Sequence, residues 1–229
     1  MTTRIRWRVA AAALLVAAIG VALGRQLLQA PAPQAAPSAQ AAASQGLPWQ
    51  VEVLADGSSR ALGLHLGVAT LADVRARTAE TLQVALVARL GEVGVLEALA
   101  EPFNAGFVAG RLVVAFDVPA ATLDRWRGAS TSSTPMEGGV RRFDLRAADQ
   151  AEAEQARVTG LSFIPVARLS EADLRQRFGA PARVRPLAAG AALLSYPALG
   201  LNATVVPGQR AVIQYVAPRE AARLEAIPP

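Results

Sequence analysis

His65 is the only imidazole in the chain, and all 23 basic side chains are arginine. There is no cysteine and no lysine. Thiol nucleophiles, thiolate zinc sites, disulfides, Schiff bases and phosphate-loop lysines are therefore excluded. One imidazole cannot supply a two- or three-His metal site, so the expected catalytic, cofactor and metal sets are all "none". Two chemistries survive. A Ser-His-Asp triad through His65 is one, but it lacks a nucleophile elbow, because no G-x-S-x-G occurs. A carboxylate pair is the other. Glu97 and Glu101 flank one expected strand end and Asp117 another, and glycoside hydrolysis would need two such groups about 5–9 Å apart. Gly91-Glu92-Val93-Gly94 reads as a hairpin turn rather than a phosphate loop.

The most patterned polar residues occur twice. Thr70-Leu71-Ala72-Asp73-Val74-Arg75-Ala76-Arg77 matches Ser170-Glu171-Ala172-Asp173-Leu174-Arg175-Gln176-Arg177. Each copy places a hydroxyl three residues before a carboxylate, the pattern of a helix capping box. The carboxylate also meets the positive end of the helix dipole. Asp73 with Arg77, and Asp173 with Arg177, have the acid-before-base spacing of an i,i+4 ion pair. Leu71, Val74 and Thr78 share one helical face, as do Leu174 and Phe178, so the charged residues face outward.

Around these octets, apolar runs bounded by Gly and Pro mark the elements that must position them. Strands are expected near 49–55, 60–66, 82–90, 94–101 and 107–117, with helices at 71–78 and 120–127. A second set follows, with strands near 140–145, 158–166, 182–186, 190–196, 200–206 and 209–216. Its helices are at 147–156, 171–178 and 219–226. Phe116-Asp117-Val118-Pro119 corresponds to Tyr215-Val216-Ala217-Pro218, a strand followed by Pro at a helix start. The expected fold is α+β: two tandem repeats of a small antiparallel sheet with short helices, at 48–128 and 140–229. Residues 129–139, rich in Ser, Thr and Gly, form the expected interdomain loop.

The second octet continues Arg177-Phe178-Gly179-Ala180-Pro181, where Gly ends the helix and Pro prevents its resumption. Over residues 169–181 the chain resembles the small SmpA/OmlA-type outer-membrane-assembly lipoproteins. Its repeated architecture is similar to the tandem-repeat β-lactamase-inhibitor protein fold. The resemblance implies a non-enzymatic binding role in the cell envelope and assigns no site residue. The first octet departs from it, with Thr78-Ala79 in place of Phe-Gly, and the chain has no lipobox cysteine.

The formal charge is +5. Arg4, Arg6, Arg8 and Arg25 lie in the first 25 residues, which hold no acid; the rest sets 19 Arg against 18 acids. The body is nearly neutral, so no nucleic-acid partner is expected. The four arginines flank residues 9–24, an uncharged stretch spanning roughly 24 Å as a helix. Residues 1–25 therefore read as a signal anchor crossing the bacterial inner membrane once, with a cytoplasmic N-terminus and a periplasmic body. Cleavage as a signal peptide, releasing the body to the periplasm, is the alternative. Residues 26–47, rich in Ala and Pro, read as a linker that cannot bury a core.

The aromatic residues fall mostly on apolar faces. Trp49 and Tyr196 are the candidates for exposed anchors that grip a partner. Arg141-Arg142 forms a small basic spot, a further partner-binding candidate whose competing reading is protection of an edge strand. The expected function is a membrane-tethered periplasmic interaction module, accessory to envelope assembly, whose partner is an envelope protein or peptide. A carboxylate-dependent envelope hydrolase and a small apolar-ligand or lipid-binding domain are the alternatives.

Overall fold

The computed structural model describes residues 46–78 and 82–226. The expected membrane segment at 9–24, and nearly all of the 26–47 linker, lie outside the described residues. Among the described residues, no helix is long and apolar enough to cross a membrane.

Three short antiparallel strands come first: β1 (Glu52–Val53), β2 (Ser59–Ala61) and β3 (Leu64–His65). The expected single strand at 60–66 is broken by a tight turn. Leu62 (φ 53°) and Gly63 (φ 76°) both occupy the left-handed region, the geometry that two-residue hairpins require. A leucine there is strained, and its complete burial holds it in place.

The remaining strands form one antiparallel sheet. In chain order the elements are helix α1 (Leu71–Thr78), β4 (Leu82–Arg89), β5 (Val95–Ala105), β6 (Val108–Asp117), α2 (Ala120–Gly128), β7 (Ser132–Pro135) and β8 (Val140–Asp144). Helix α3 (Ala147–Ala153), β9 (Arg157–Pro165), α4 (Glu171–Phe178), β10 (Arg183–Pro186), β11 (Ala192–Tyr196), β12 (Leu201–Val205), β13 (Val212–Val216) and α5 (Ala222–Ala226) follow. The spatial order is β10-β11-β12-β13-β9-β6-β5-β4-β8-β7.

Period-two alternation explains which face carries the core. β6 buries Gly110, Leu112, Val114 and Phe116, while Arg111 and Val113 point the other way. In β5 a bulge between Ala100 and Phe103 shifts the buried set from even to odd residues, so Leu96, Ala98, Phe103 and Ala105 all face inward. Leu71 and Val74 of α1 and Leu174 of α4 join the same core as Leu112, Phe163, Ile213 and Tyr215. Each such large side chain contributes about 1.5–3 kcal/mol by leaving water.

The α+β class and the antiparallel strands agree with the sequence, but the two repeats do not. Strands β6 and β13 both run antiparallel to β9, on its two sides, and are therefore parallel to each other. Leu112 and Ile213 both stand opposite Phe163, so they share the core face. β5 lies beyond β6 and β12 beyond β13. The two meanders are thus mirror-handed about β9, and no rotation superposes them while equating Phe116 with Tyr215. One sheet spans both halves. The octet match is local: a capping box requires only a hydroxyl and a carboxylate three residues apart, and carries no information about strand pairing.

The expected interdomain loop also holds structure. Residues 132–135 form β7, which pairs with β8 and becomes the sheet's edge. Both edge strands end in proline, Pro135 and Pro186, and β10 adds Arg183 and Arg185. Proline and charge at an edge discourage pairing with a further chain.

Candidate functional site

The repeated carboxylates serve as caps. Asp73 Oδ2 accepts from the Thr70 backbone N–H (2.8 Å) and hydroxyl (2.9 Å), and Asp173 Oδ2 accepts from the same groups of Ser170 (2.8 and 2.6 Å). The backbone N–H and then the hydroxyl of Thr70 hold Asp73 below the usual carboxylate range. For Asp173 the Ser170 hydroxyl leads, followed by its backbone N–H. The expected ion pairs Asp73–Arg77 and Asp173–Arg177 do not form among the described residues, because these carboxylates already serve the helix start. Arg75 instead reaches Glu154 (2.8 Å), and Arg175 takes Glu171 (2.6 Å).

His65 does meet a serine and an aspartate. Its Nε2 lies 2.8 Å from Ser58 Oγ, and Ser58 Oγ donates to Asp56 Oδ1 at 2.6 Å. The wiring is wrong for a triad. A hydroxyl has one proton, and Asp56 receives it, so the imidazole must donate to Ser58 rather than act as its base. Ser58 is also fully buried. The Ser58 side chain and backbone N–H hold Asp56 ionised, with Arg219 assisting. The cluster ties the β1–β2 turn to β3.

Of the carboxylates of the hydrolase alternative, Glu101 pairs with Arg111 at 2.7 Å, whereas Glu97 has no hydrogen bond or ion pair among the described residues. Asp149 and Glu152 share Arg125 (3.4 and 2.7 Å), and Arg146 closes on Asp149 at 2.8 Å. The Arg146 hydrogen bond keeps Asp149 low, and the Arg125 hydrogen bond does the same for Glu152. Two acids held ionised by arginines lack the split protonation that acid–base hydrolysis uses.

Trp49, Tyr196, Arg141 and Arg142, the four expected binding residues, do not come together in the structure. Tyr196 is 4% exposed, packs 5.7 Å from Phe178, and its hydroxyl has no hydrogen-bond partner. It is a core residue, because β11 turns its even positions inward beside Leu194. Arg141 and Arg142 lie on β8, one strand in from the edge, so β7 rather than the arginines forms the boundary. As successive strand residues they point to opposite faces and make no common basic spot. Arg141 donates to Ser133 Oγ (2.7 Å), and Arg142 to Gln83 Oε1 (3.2 Å).

Trp49 is half-buried and lines an open cleft of about 450 Å³ with Gly46, Glu52, Arg60, Gly63 and Arg77. Arg177 lies over the indole, 3.9 Å from the ring centroid. Phe107, 67% exposed at the β5–β6 turn, meets the same indole edge-on at 6.1 Å. On the other side, the Arg77 guanidinium rests on Gly63, where any Cβ would collide with it. Gly63 is constrained by its positive φ, whereas the flexible Arg77 guanidinium could yield to a side chain there. Tyr215 anchors the segment below by donating to the Pro48 carbonyl at 2.8 Å.

Arg77 and Arg177, the last residues of the repeated octets, thus converge on one entry segment, and neither forms an ion pair among the described residues. The sequence gives both residues a sufficient local explanation as helix-surface ions, which conceals them. Chemically, the cleft offers the Trp49 ring and the Arg77 guanidinium beside the Glu52–Arg60 ion pair (3.0 Å), while Phe107 and Arg177 contact the same indole without lining the cleft. No protein-family model matches the chain, and no curated protein or solved structure is significantly similar to it.

Proposed function

We propose that the chain is a non-enzymatic, membrane-tethered periplasmic interaction module that grips an envelope protein through a carboxylate-bearing segment at the Trp49 cleft. The observation that carries this reading is the pairing of Trp49 and exposed Phe107 with two arginines, Arg77 and Arg177, that form no ion pair among the described residues. Aromatic and arginine side chains at the rim of a cleft are the usual energetic anchors of interfaces. The proline-ended edge strands favour the cleft over strand addition.

Gly46, the first described residue, lines this cleft, so the expected linker meets the domain at the binding surface. With residues 1–25 as an inner-membrane anchor, that surface would be held near the bilayer at raised local concentration. The likeness of residues 169–181 to envelope-assembly lipoproteins supports the same compartment.

The test is site-specific photocrosslinking from position 107 in intact membranes. A discrete adduct that disappears in the Arg77→Glu, Arg177→Glu double variant supports the reading. Adducts unchanged by the charge reversal, or no adduct at all, would defeat it.

A further inference from the structure

The ten-stranded sheet has two ends of different charge. Four connections meet at one of them: 106–107 between β5 and β6, 166–170 after β9, 187–191 between β10 and β11, and 206–211 between β12 and β13. The strand register holds them together. Gly110 pairs with Pro165, Thr204 with Val212 and Ala192 with Val205, and the Val166 N–H donates to the Ala109 carbonyl at 2.9 Å. The strands from β5 across to β10 make this end roughly 29 Å wide at ~4.8 Å per strand.

None of these four connections contains an acid, and Arg168 and Arg210 are their only charged residues. Both arginines are exposed and form no ion pair among the described residues. Neighbouring acids are already matched: Glu101 by Arg111 (2.7 Å), Glu171 by Arg175 (2.6 Å), and Asp173 by the Ser170 cap. The connection 79–81, which contains Glu80, lies outside the described residues. At the opposite end the turns and strand ends carry Glu92, Asp117, Glu137 and Glu154. Apolar side chains protrude at both ends, so exposure alone does not choose between them. Leu90 is 96% exposed but shares its turn with Glu92, whereas Phe107 (67%) and Val166 (57%) stand in acid-free connections.

We propose that this acid-free end docks on an anionic phospholipid bilayer, with Phe107 and Val166 seated in the interface and Arg168 and Arg210 among the headgroup phosphates. Protruding apolar groups beside unpaired arginines match a surface that is anionic outside and hydrocarbon beneath. The route of the chain favours a bilayer over a soluble partner. The described residues begin at Gly46, and Trp49 meets Phe107 at 6.1 Å. With residues 1–25 as the anchor, the linker joins the domain beside this end and extends to at most about 62 Å. The docked surface is separate from the Trp49 cleft and shares with it only the contact of Phe107 with the indole.

The chain has no cysteine, so Val166→Cys and Leu90→Cys each accept a single nitrobenzoxadiazole label, one at the acid-free end and one at the acid-bearing end. The labelled full chain is read in phosphatidylcholine vesicles with and without about 30% phosphatidylglycerol. The expected result is a blue shift with a gain in emission at position 166 in the anionic vesicles alone, and no change at position 90. Arg168→Glu combined with Arg210→Glu should lower the docked-to-free ratio at position 166 by about tenfold or more, and raising the salt to about 0.5 M should weaken docking in the parent. Both arginines are exposed, so the double variant should melt as the parent does. The label reports this end alone, so its failure leaves the cleft reading standing. No shift at position 166, equal shifts at 166 and 90, or a shift that persists in uncharged vesicles or after the charge reversal overturns the proposal.

Discussion

Arg177 lies over Trp49, its guanidinium carbon 3.9 Å from the indole centroid, although the two residues are 128 positions apart in the chain. The last turn of α4 therefore clamps the segment that leads into the domain. Trp49 has two roles: its ring is held by Arg177, and its edge meets the exposed Phe107.

That contact should be measurable. In a Trp49→Ala, Arg177→Ala double-mutant cycle followed by urea unfolding, the expected coupling energy is about 0.5–2 kcal/mol. A coupling near zero would mean that the stack contributes nothing to stability.

Tyr215 supports the same segment from within. Its buried hydroxyl donates to the Pro48 carbonyl, which is itself buried. Tyr215→Phe leaves that carbonyl unsatisfied and should cost about 1–3 kcal/mol. The denaturation midpoint should fall with an unchanged urea dependence, since the core volume is kept.

The helix caps predict an acid response. Ser170→Ala removes a cap and should cost about 0.5–2 kcal/mol at neutral pH. The folded-state pKa values of Asp73 and Asp173 lie below the ordinary 3.8. Their contribution is therefore complete above that value and is lost as pH falls through the folded values. Thermal melts from pH 7 down to pH 2 should show Asp173→Asn losing its disadvantage at the acid end.

Glu97 should behave in the opposite sense. Its folded pKa is raised above the ordinary 4.5 by burial, so its ionised form destabilises the fold. Glu97→Gln should melt higher than the parent at pH 7. The gap should close as pH falls through the raised value and vanish below 4.5. A variant less stable at pH 7 would show that the carboxylate is better solvated than its surroundings imply.

Much of the fold is legible residue by residue. The β4–β5 turn at Gly91 and Gly94, the helices at 71–78 and 171–178, and the strands flanking 107–117 and 158–166 all follow from local periodicity and turn chemistry. Leu62-Gly63 does not, because a hairpin turn usually declares itself with Asn or Asp, and here burial overrides the preference. β7 does not either: Ser132–Pro135 has no apolar alternation, and pairing with β8 alone makes it a strand. The sheet order depends on contacts between distant segments, which local patterns do not encode. The site divides along the same line. Trp49 is visible as an aromatic near the domain entrance, but Arg77 and Arg177 become its neighbours only through folding.

β9, placed between β6 and β13, makes the two halves mutually dependent. A fragment ending at residue 128 would leave the ladder of β6, Gly110 to Asp117, without its partner, an open edge prone to self-association. A fragment beginning at residue 129 would carry that partner with one side bare. Neither piece is a domain, yet each presents the hydrogen-bonding template that the other lacks. Co-expressed, the two are expected to complement into one sheet, with β6 and β9 re-forming the seam.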